Sequence, residues 1–410
     1  MGIATEDRRH VVLFTGDSSY GVLSYLTTDL ARAFIAHGWT TEVVDLTRLS
    51  LATELRRIQR EDRVRFFCAY SGYGADIIAN NQLLYDVLEI PYVGLMLDNP
   101  CYFPTRHLTA SDQLMLLHGD DGHHDVSVEI SPRGSWRGLF RLASTPWADA
   151  ERPLAARTYG AMFASKGGDP LRYERELRAT LDASSRRFVF EVAATLGAQR
   201  EPQRVWEVAR THAAALGMST EQPPSVAYHT LVLRADHLAR LRRATAVARV
   251  LVPLPITFVG GDWSHLQTPT SRATFLPPAP LPAVRRMMAD SRVVLNVQPG
   301  TTDSMHDRMV LGLHAGAVVV SDSNPVIRER VGHDAFVVWD GNPENIADLV
   351  SDSMRASPAL QSRAAHGLGM ARERLTLTEM AGTLLQTVQL HWTQRAQQPA
   401  TALHPLARSA

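Results

Sequence analysis

Short apolar runs that end in glycine or a polar residue recur along the chain, and amphipathic stretches separate them. In the first half, examples are HVVLFTG at 10–16, VRFFCAYSG at 64–72 and IPYVGLMLD at 90–98. Each run suits a strand buried on both faces, and VLSYLTTDLARAFIAHG at 22–38 is spaced as an amphipathic helix that ends at glycine. Repeated β-α-β units of this kind predict an α/β fold with a doubly wound parallel sheet.

A second series of such units follows in the C-terminal half. It includes LPITFVGGDW at 254–263, RVVLNVQPG at 292–300 and GAVVVSDS at 316–323. A chain of 410 residues is also too long for one ordinary core. We therefore predict an N-terminal Rossmann-like domain at 1–175, a helical connector at 176–222, a C-terminal Rossmann-like domain at 223–385, and a terminal helix end with a disordered tail at 386–410.

The charge and cysteine content exclude several classes of protein. The formal net charge is zero, which does not favour nucleic acid or an anionic membrane as a partner. Cys68 and Cys101 lie near strand-like runs, so we expect buried free thiols. The N-terminus is polar and no apolar run is long enough for stable membrane insertion, which indicates a cytoplasmic protein. Lys166 is the only lysine, so a phosphate site is expected to use arginine, backbone amides or helix termini.

Three loops follow strands in the first half, and ligands of doubly wound sheets bind beyond the carboxyl ends of strands. Asp98 ends IPYVGLMLD and could orient an acceptor hydroxyl or act as a base, or it could cap the turn before Pro100. The other two loops are candidate parts of a cleft, although each could be an ordinary turn. They contribute Ser18, Ser19, Tyr20 and Gly21, and Gly72 and Tyr73.

The polar run TTDSMHDR at 301–308 precedes a predicted helix that extends from about His306 to His314. Amide donors at the start of this helix, the hydroxyls of Thr301 and Thr302, and the charge of Arg308 or His306 would suit a diphosphate. Asp303 is expected to cap the helix. The alternative is an N-capped helix of a βαβ unit without a ligand.

Six potential metal ligands crowd the segment HGDDGHHD at 118–125. Their order matches no known zinc spacing, and acidic turns rich in glycine are common loops. We predict no metal site here.

The segment after the strand at 293–295 carries a recognisable pattern: Asn296, an acid at Asp303, HDR at 306–308, Ala315-Gly316, AVV at 317–319 and Asp322. This pattern resembles the second domain of group 1 GT-B glycosyltransferases, most closely the spore-maturation-protein-like (CgeB-like) branch. LPITFVGGDW and ENIADLV at 344–350 resemble two further elements of that domain.

The resemblance implies two Rossmann-like domains that face a cleft. It also implies sugar transfer from a nucleotide-diphosphate sugar, with retention of configuration and with neither metal nor cofactor. The resemblance does not decide whether the acceptor is a protein, a glycan or a small molecule. The implied catalytic residues are Asp98, Asp303 and His306, and the implied donor-binding residues are Gly260, Gly261, Gln298, Gly300, Thr301, Thr302, Asp303, His306, Arg308 and Asp322.

One departure from the family pattern concerns Leu311. Retaining members of the wider group carry two acids eight positions apart, and the second holds the ribose hydroxyls. Asp303 matches the first acid, but Leu311 occupies the position of the second and cannot hydrogen-bond. Two alternatives therefore stay open: a nucleotide-sugar epimerase or hydrolase on the same fold, and a non-catalytic relative that binds a partner.

Overall fold

The structure, a computed structural model, describes residues 9–47, 53, 56–58, 63–131, 135–198, 203–218, 225–298, 300 and 302–397. The predictions for Thr301, for the end of the connector at 219–222 and for the tail after Gln397 lie outside these residues. Within the described part of the chain, no helix combines the length and the apolar character needed to cross a bilayer.

The first half forms a six-stranded parallel sheet in the order β2-β1-β3-β6-β7-β8 and a short hairpin, β4-β5. Apolar runs build the central strands, which are buried on both faces. The strands are β1 His10–Thr15, β2 Thr40–Asp45, β3 Val64–Tyr70, β4 Ile78–Ala79, β5 Gln82–Leu83, β6 Tyr92–Met96, β7 Leu114–His118 and β8 Trp136–Leu139. The helices are α1 Val22–Ala36, α2 Leu84–Leu88, α3 Pro104–Leu108 and α4 Asp121–Ile130.

Four helices form a separate layer in the middle of the chain. They are α5 Pro170–Thr180, α6 Ala183–Ala198, α7 Val205–Ala215 and the 26-residue α8 Val226–Leu251. The first half of α8, including Val232 and Leu238, packs in an apolar cluster with α6, α7 and Cys101 of the first half. The second half of α8, including Val247, packs against the second sheet. One helix therefore runs through two apolar cores.

The second sheet also has six parallel strands, in the order β11-β10-β9-β12-β13-β14. Its strands are β9 Tyr159–Ala164, β10 Ile256–Val259, β11 Thr274–Leu276, β12 Ser291–Asn296, β13 Val318–Ser321 and β14 Val337–Val338. The helices that follow in the chain are α9 Leu281–Ala289, α10 Asp307–His314, α11 Pro325–Val331, α12 Pro343–Ser353, α13 Pro358–Arg374 and α14 Leu377–Gln397. Two parallel sheets with flanking helices confirm the predicted fold class.

The two sheets do not coincide with the predicted domain ranges. β9 lies within 1–175, but it pairs with β10 and β12 of the second sheet. α14 begins within 223–385, but Ala381 and Leu384 pack in the core of the first sheet. Both differences arise because strand pairing and helix docking follow apolar surfaces in space, whereas the ranges were drawn along the chain.

The chain crosses between the sheets twice, and the two crossings are hydrogen-bonded together. The N–H of Ser144 donates to the carbonyl of Leu375 at 2.9 Å, and the N–H of Leu377 donates to the carbonyl of Ser144 at 3.1 Å. Arg285 on α9 also pairs with Asp29 on α1 at 2.9 Å. These contacts hold the two carboxyl edges of the sheets opposite each other.

Strand order reverses once in each sheet, and the reversal points position the cleft. In the first sheet it lies between β1 and β3, and in the second between β9 and β12. Loops on either side of such a point diverge and leave a crevice at the carboxyl ends of the strands. In the second sheet the crevice is flanked by the loop after Ala164 and the loop after Asn296.

The histidine-rich segment forms a strand end and a helix instead of the expected loop. His118 ends β7, Asp120 caps α4 by accepting from the N–H of His123 at 3.1 Å, and the rest of the segment lies in α4. Among the described residues, no three histidine, cysteine, aspartate or glutamate side chains are arranged so that they could hold a metal ion.

His118 is fully buried beside His107, with ring centroids 5.3 Å apart. Neither ring nitrogen of His118 has a hydrogen-bond partner among the described residues. Burial, reinforced by His107, His123 and Arg137, holds the pKa of His118 well below its usual range. The imidazole is therefore neutral in the folded protein at neutral pH.

Acidification should destabilise the fold, and His118→Leu should reduce the effect. Because the folded-state pKa of His118 lies below the unfolded value of about 6.5, the unfolded chain binds more protons once the pH falls below that value. Between about pH 7.5 and about pH 5, His118 can contribute at most about 2 kcal/mol of this loss. Urea unfolding at both pH values measures it, and an unchanged pH dependence in His118→Leu would contradict the assignment.

A second prediction concerns Gly261, which follows β10. Its φ is 65°, and a Cβ there would overlap the carbonyl oxygen of Lys166, whereas Gly38 has a φ of 77° and nothing within 4 Å of a Cβ. We expect Gly261→Ala to lower the free energy of unfolding by about 3 kcal/mol or more, and the control Gly38→Ala by about 1 kcal/mol. Equal losses in urea titrations of the two variants would refute the close approach of the two loops.

Candidate active site

A cleft with a volume of about 640 Å³ lies between the carboxyl edges of the two sheets. The first sheet contributes the residues after β1 and β6, and the second contributes those after β9, β10 and β12. Helix α8 forms a third wall. Of the predicted site residues, those that line this cleft are Tyr20, Asp98, Gly260, Gln298, Gly300, His306 and Arg308.

The predicted helix start is present, but its cap differs from the prediction. His306 caps α10, and the N–H of Arg308 lies 3.2 Å from His306 Nδ1 and 2.7 Å from Asp307 Oδ1. His306 Nδ1 is 2.6 Å from Asp307 Oδ1, a distance that favours a proton on Nδ1 donated to Asp307. The Arg308 N–H then donates to Asp307, so this amide is not available to a ligand. Burial lowers the pKa of His306, with Asp307 acting in the opposite direction.

Arg308 supplies a cationic donor at the cleft. Its Nη2 donates to the carbonyl of Val297 at 3.0 Å, and its guanidinium lies 5.6 Å from the centre of the Phe163 ring. Its Nη1 is buried and has no hydrogen-bond partner among the described residues. An unsatisfied buried donor costs about 1–3 kcal/mol, a cost that an anionic ligand oxygen would relieve.

Asp322 lies behind the cleft instead of lining it. It accepts from the N–H of Gln298 at 3.0 Å and pairs with Arg243 at 2.8 Å. Burial raises its pKa, and the Arg243 guanidinium opposes the increase. Asp322 therefore fixes the loop after β12 and orients Arg243, which does line the cleft.

Helix α8 contributes a polar group that the sequence analysis did not identify. Asp236 is 1% exposed and lies 2.7 Å from Arg240 Nε, and the hydroxyl of Tyr102 donates to Asp236 at 2.9 Å. Burial and Asp236 both raise the pKa of Tyr102, so the phenol stays protonated. Asp236, Arg240 and Arg243 lie at helical spacing on one face of α8, and this spacing is the signal that could have revealed them.

Lys166 is the other residue that was missed. It lies in the loop after β9, at the reversal point of the second sheet, and it lines the cleft. A lysine is therefore present in the cleft in addition to the arginines, backbone amides and helix termini expected for a phosphate site. Recognising YGAMFA at 159–164 as a strand would have placed Lys166 at a carboxyl end.

In the first-sheet wall, Asp98 and Tyr20 line the cleft as predicted, but Ser18, Gly21, Gly72 and Tyr73 do not. Asn99, not Asp98, caps the following turn by accepting from the N–H of Cys101 at 3.1 Å. Ser18 is used locally, because its hydroxyl accepts from the N–H of Leu23 at 3.0 Å.

Gly72 and Tyr73 are packed inside the first domain and do not line the cleft. A Cβ at Gly72 would lie 2.7 Å from the sulphur of Met96. The Tyr73 carbonyl accepts from the hydroxyl of Tyr92 at 2.9 Å. Gly21 is also absent from the cleft lining, and the prediction for the Ser19 side chain lies outside the described part of the structure.

Thr302 and Asp303 lie outside the cleft, contrary to the prediction for this loop. Asp303 pairs with Arg204 at 3.1 Å, and its N–H donates to the Asp120 carboxylate at 3.0 Å. The Thr302 hydroxyl donates to Asp303 at 2.7 Å. Both residues line a separate polar cavity beside α7 and α11. The loop turns away because Arg204 and Asp120 satisfy its carboxylate and amide.

The predicted glycines have different roles at the cleft. Gly260 lies at its edge with a φ of 90°, and Gly300 has a φ of 86° with a Cβ position 3.2 Å from Asp236. A side chain at 300 would therefore press on the Asp236–Arg240 pair. Gly261 touches the Lys166 loop and does not line the cleft.

Leu311 forms part of an apolar wall. It is 8% exposed and packs with Val259, Leu281 and Met288, all of which also line the cleft. The departure from the family pattern therefore occurs inside the cleft itself. This wall has no group that could hydrogen-bond a ribose.

Comparisons with known proteins show similarity in structure only. No protein-family profile matches the chain, and no curated protein matches its sequence. Among solved structures, an alpha-glucosyltransferase in complex with UDP-glucose and DNA containing an abasic site has a TM-score of 0.52 at 11% identity, covering 93% of this chain and 99% of its own. HepE from Anabaena in complex with UDP-glucose has a TM-score of 0.50 at 11% identity, with coverage of 93% and 99%. AviGT4, a glycosyltransferase involved in avilamycin A biosynthesis, has a TM-score of 0.50 at 10% identity, with coverage of 94% and 98%. In agreement with its two sheets and the cleft between them, the chain has the GT-B fold.

Proposed function

We propose that the protein is a glycosyltransferase that moves a sugar from a nucleotide-diphosphate donor to an acceptor hydroxyl or amide. The observation that carries the proposal is the buried Arg308, which lines a cleft at the reversal point of the second sheet and whose Nη1 has no hydrogen-bond partner among the described residues. The fold supports it, since the structural neighbours that share it were solved with UDP-glucose. The HDR pattern, which resembles the CgeB-like branch, supports the same reading.

The donor diphosphate is proposed to lie against the second-domain wall. Arg308, Lys166 and the α8 pair Arg240 and Arg243 line that region. Arg240 and Arg243 already have buried carboxylate partners at 2.7 and 2.8 Å, so Arg308 and Lys166 contribute the larger share of positive charge. These groups would stabilise the negative charge that develops on the departing diphosphate.

The acceptor is proposed to approach from the first-domain wall, where Asp98 would orient its hydroxyl by accepting a hydrogen bond. Retention of configuration follows from the family resemblance. In a retaining transfer the acceptor attacks the face from which the diphosphate departs, and the diphosphate oxygen can take the acceptor proton. Protein cations supply the charge stabilisation in this scheme, without a metal or a cofactor. Asp303 has no role in this proposed mechanism.

Arg308→Gln should weaken UDP-glucose binding, and Asp303→Asn should not. Loss of a charge-assisted hydrogen bond to a phosphate costs about 1.5–3 kcal/mol, so we expect a Kd increased roughly 10- to 100-fold in Arg308→Gln. Asp303→Asn removes a charge whose partners, Arg204 and the Thr302 hydroxyl, lie outside the cleft lining, and should change Kd by less than about threefold. Isothermal titration calorimetry measures both values, and thermal unfolding verifies that each variant is folded.

The same titrations decide between donor positions. A large loss in Asp303→Asn would move the donor to the cavity beside α7 and refute the assignment of Arg308. If UDP-glucose does not bind, the titration is repeated with other nucleotide sugars, and binding of none would contradict the proposed function. With a bound donor, analysis of products formed with cell extract separates transfer from epimerisation or hydrolysis.

A further inference from the structure

The cleft has an apolar floor on the side away from its charged groups. The floor consists of Val22 on α1, Leu281, Val284 and Met288 on α9, and Leu311 on α10. These residues belong to one apolar cluster that joins the two domains. The charged residues of the cleft lie instead on α8, on the Lys166 loop, at the start of α10 and, in the case of Asp98, after β6.

Tyr20 adjoins this floor in a strained backbone conformation. Its φ is 61° and its ψ is 21°, the residue is 39% exposed, and both Tyr20 and Val22 line the cleft. A bulky residue in the left-handed region is an outlier, and such strain is concentrated at ligand sites. A smaller residue such as glycine would adopt this turn with less backbone strain, but it would not place an aromatic ring beside the floor.

The floor does not suit a nucleobase. A base carries donors and acceptors along its edge, and valine, leucine and methionine side chains would leave these groups desolvated and unpaired. An apolar ring has no polar groups to desolvate on the same surface, and its burial is favourable. Leu311 lies one helical turn after Arg308, so an occupant of the floor would be adjacent to a diphosphate bound by Arg308.

We infer that the apolar floor and Tyr20 bind the acceptor, and that the acceptor is a small apolar alcohol or phenol that carries a ring. This inference rests on the proposed function. A cleft of about 640 Å³ with three walls has the size of a small-molecule site. With its ring on the floor, the acceptor presents its hydroxyl to Asp98 and to the donor.

The transfer exchanges one bond at the anomeric carbon of the donor sugar for another. The acceptor oxygen forms a bond to the anomeric carbon of the donor sugar. The bond from that carbon to the diphosphate oxygen breaks, and its electron pair leaves with the diphosphate. The acceptor proton passes to the departing diphosphate oxygen. The products are the glycoside and a nucleoside diphosphate.

Umbelliferone, a fluorescent two-ring phenol, tests this inference, with maltose as the polar comparator. We expect saturable binding of umbelliferone to the full chain by fluorescence titration, and we expect saturating UDP to leave it in place because the two occupy different parts of the cleft. Maltose at the same concentrations should not displace umbelliferone.

Val284→Glu places a charge on the floor and should weaken umbelliferone binding by about tenfold or more. The control Val128→Glu makes the same change on α4, where the valine is 51% exposed, and should bind as the unmodified protein does. Tyr20→Gly relieves the strained backbone and should therefore fold at least as stably, yet bind umbelliferone about fivefold more weakly. Neither Tyr20→Gly nor Val128→Glu should change the Kd for UDP-glucose by more than about twofold.

Four results would overturn the inference, and together they distinguish its failure from failure of the proposed function. If UDP-glucose binds but umbelliferone does not, or if maltose displaces umbelliferone, the acceptor is not apolar and the proposed function survives. If Tyr20→Gly weakens UDP-glucose binding instead, Tyr20 and the floor hold the nucleoside. If umbelliferone binds but no nucleotide sugar does, the proposed function fails and the ligand on the floor is not an acceptor.

Discussion

The arrangement of the cleft depends on helix α8, which is packed into two apolar cores at once. Its first half shares a cluster with Cys101 and Val126 of the first domain, and its second half packs with Ile256 and Val293 of the second sheet. A helix fixed at both ends cannot rotate about its axis without breaking one of these cores. The direction of its polar face is therefore determined by apolar contacts, and that face carries Asp236, Arg240 and Arg243 over the cleft.

Buried carboxylates then determine which cations remain free to meet a ligand. Asp236 is paired with Arg240, and Asp322 with Arg243. Removing one partner of such a pair would leave an uncompensated charge in the interior, which costs about 3–5 kcal/mol. These pairs therefore keep the cleft wall in place whether or not a ligand is bound. Arg308 differs because no carboxylate forms a salt bridge with its guanidinium among the described residues, which leaves it the arginine with most to gain from an anion.

Sequence patterns were sufficient for the fold class because buried parallel strands read as continuous apolar runs. The same patterns could not assign β9 to the second sheet, since a strand's neighbours depend on pairing in three dimensions. Without β9, the position of Lys166 at a carboxyl end could not be deduced. Asp303 shows the opposite error, because a residue in the right motif is drawn out of the cleft by Arg204 and Asp120, which are distant in sequence.

Leu311 connects the departure from the family pattern with the polarity of the cleft. An acid at that position would lie among Val259, Leu281 and Met288, where an ionised carboxylate would need a partner to offset its desolvation. None of these three side chains offers one, so the apolar residue at 311 agrees with its packing neighbours. The replacement of the acid by Leu311 therefore matches the apolar character of the whole wall and is not an isolated loss of one residue. Hydroxyls of a bound ribose would find partners on the polar walls of the cleft, such as α8 and the loop after β12, which leaves the apolar floor to a different part of the substrates.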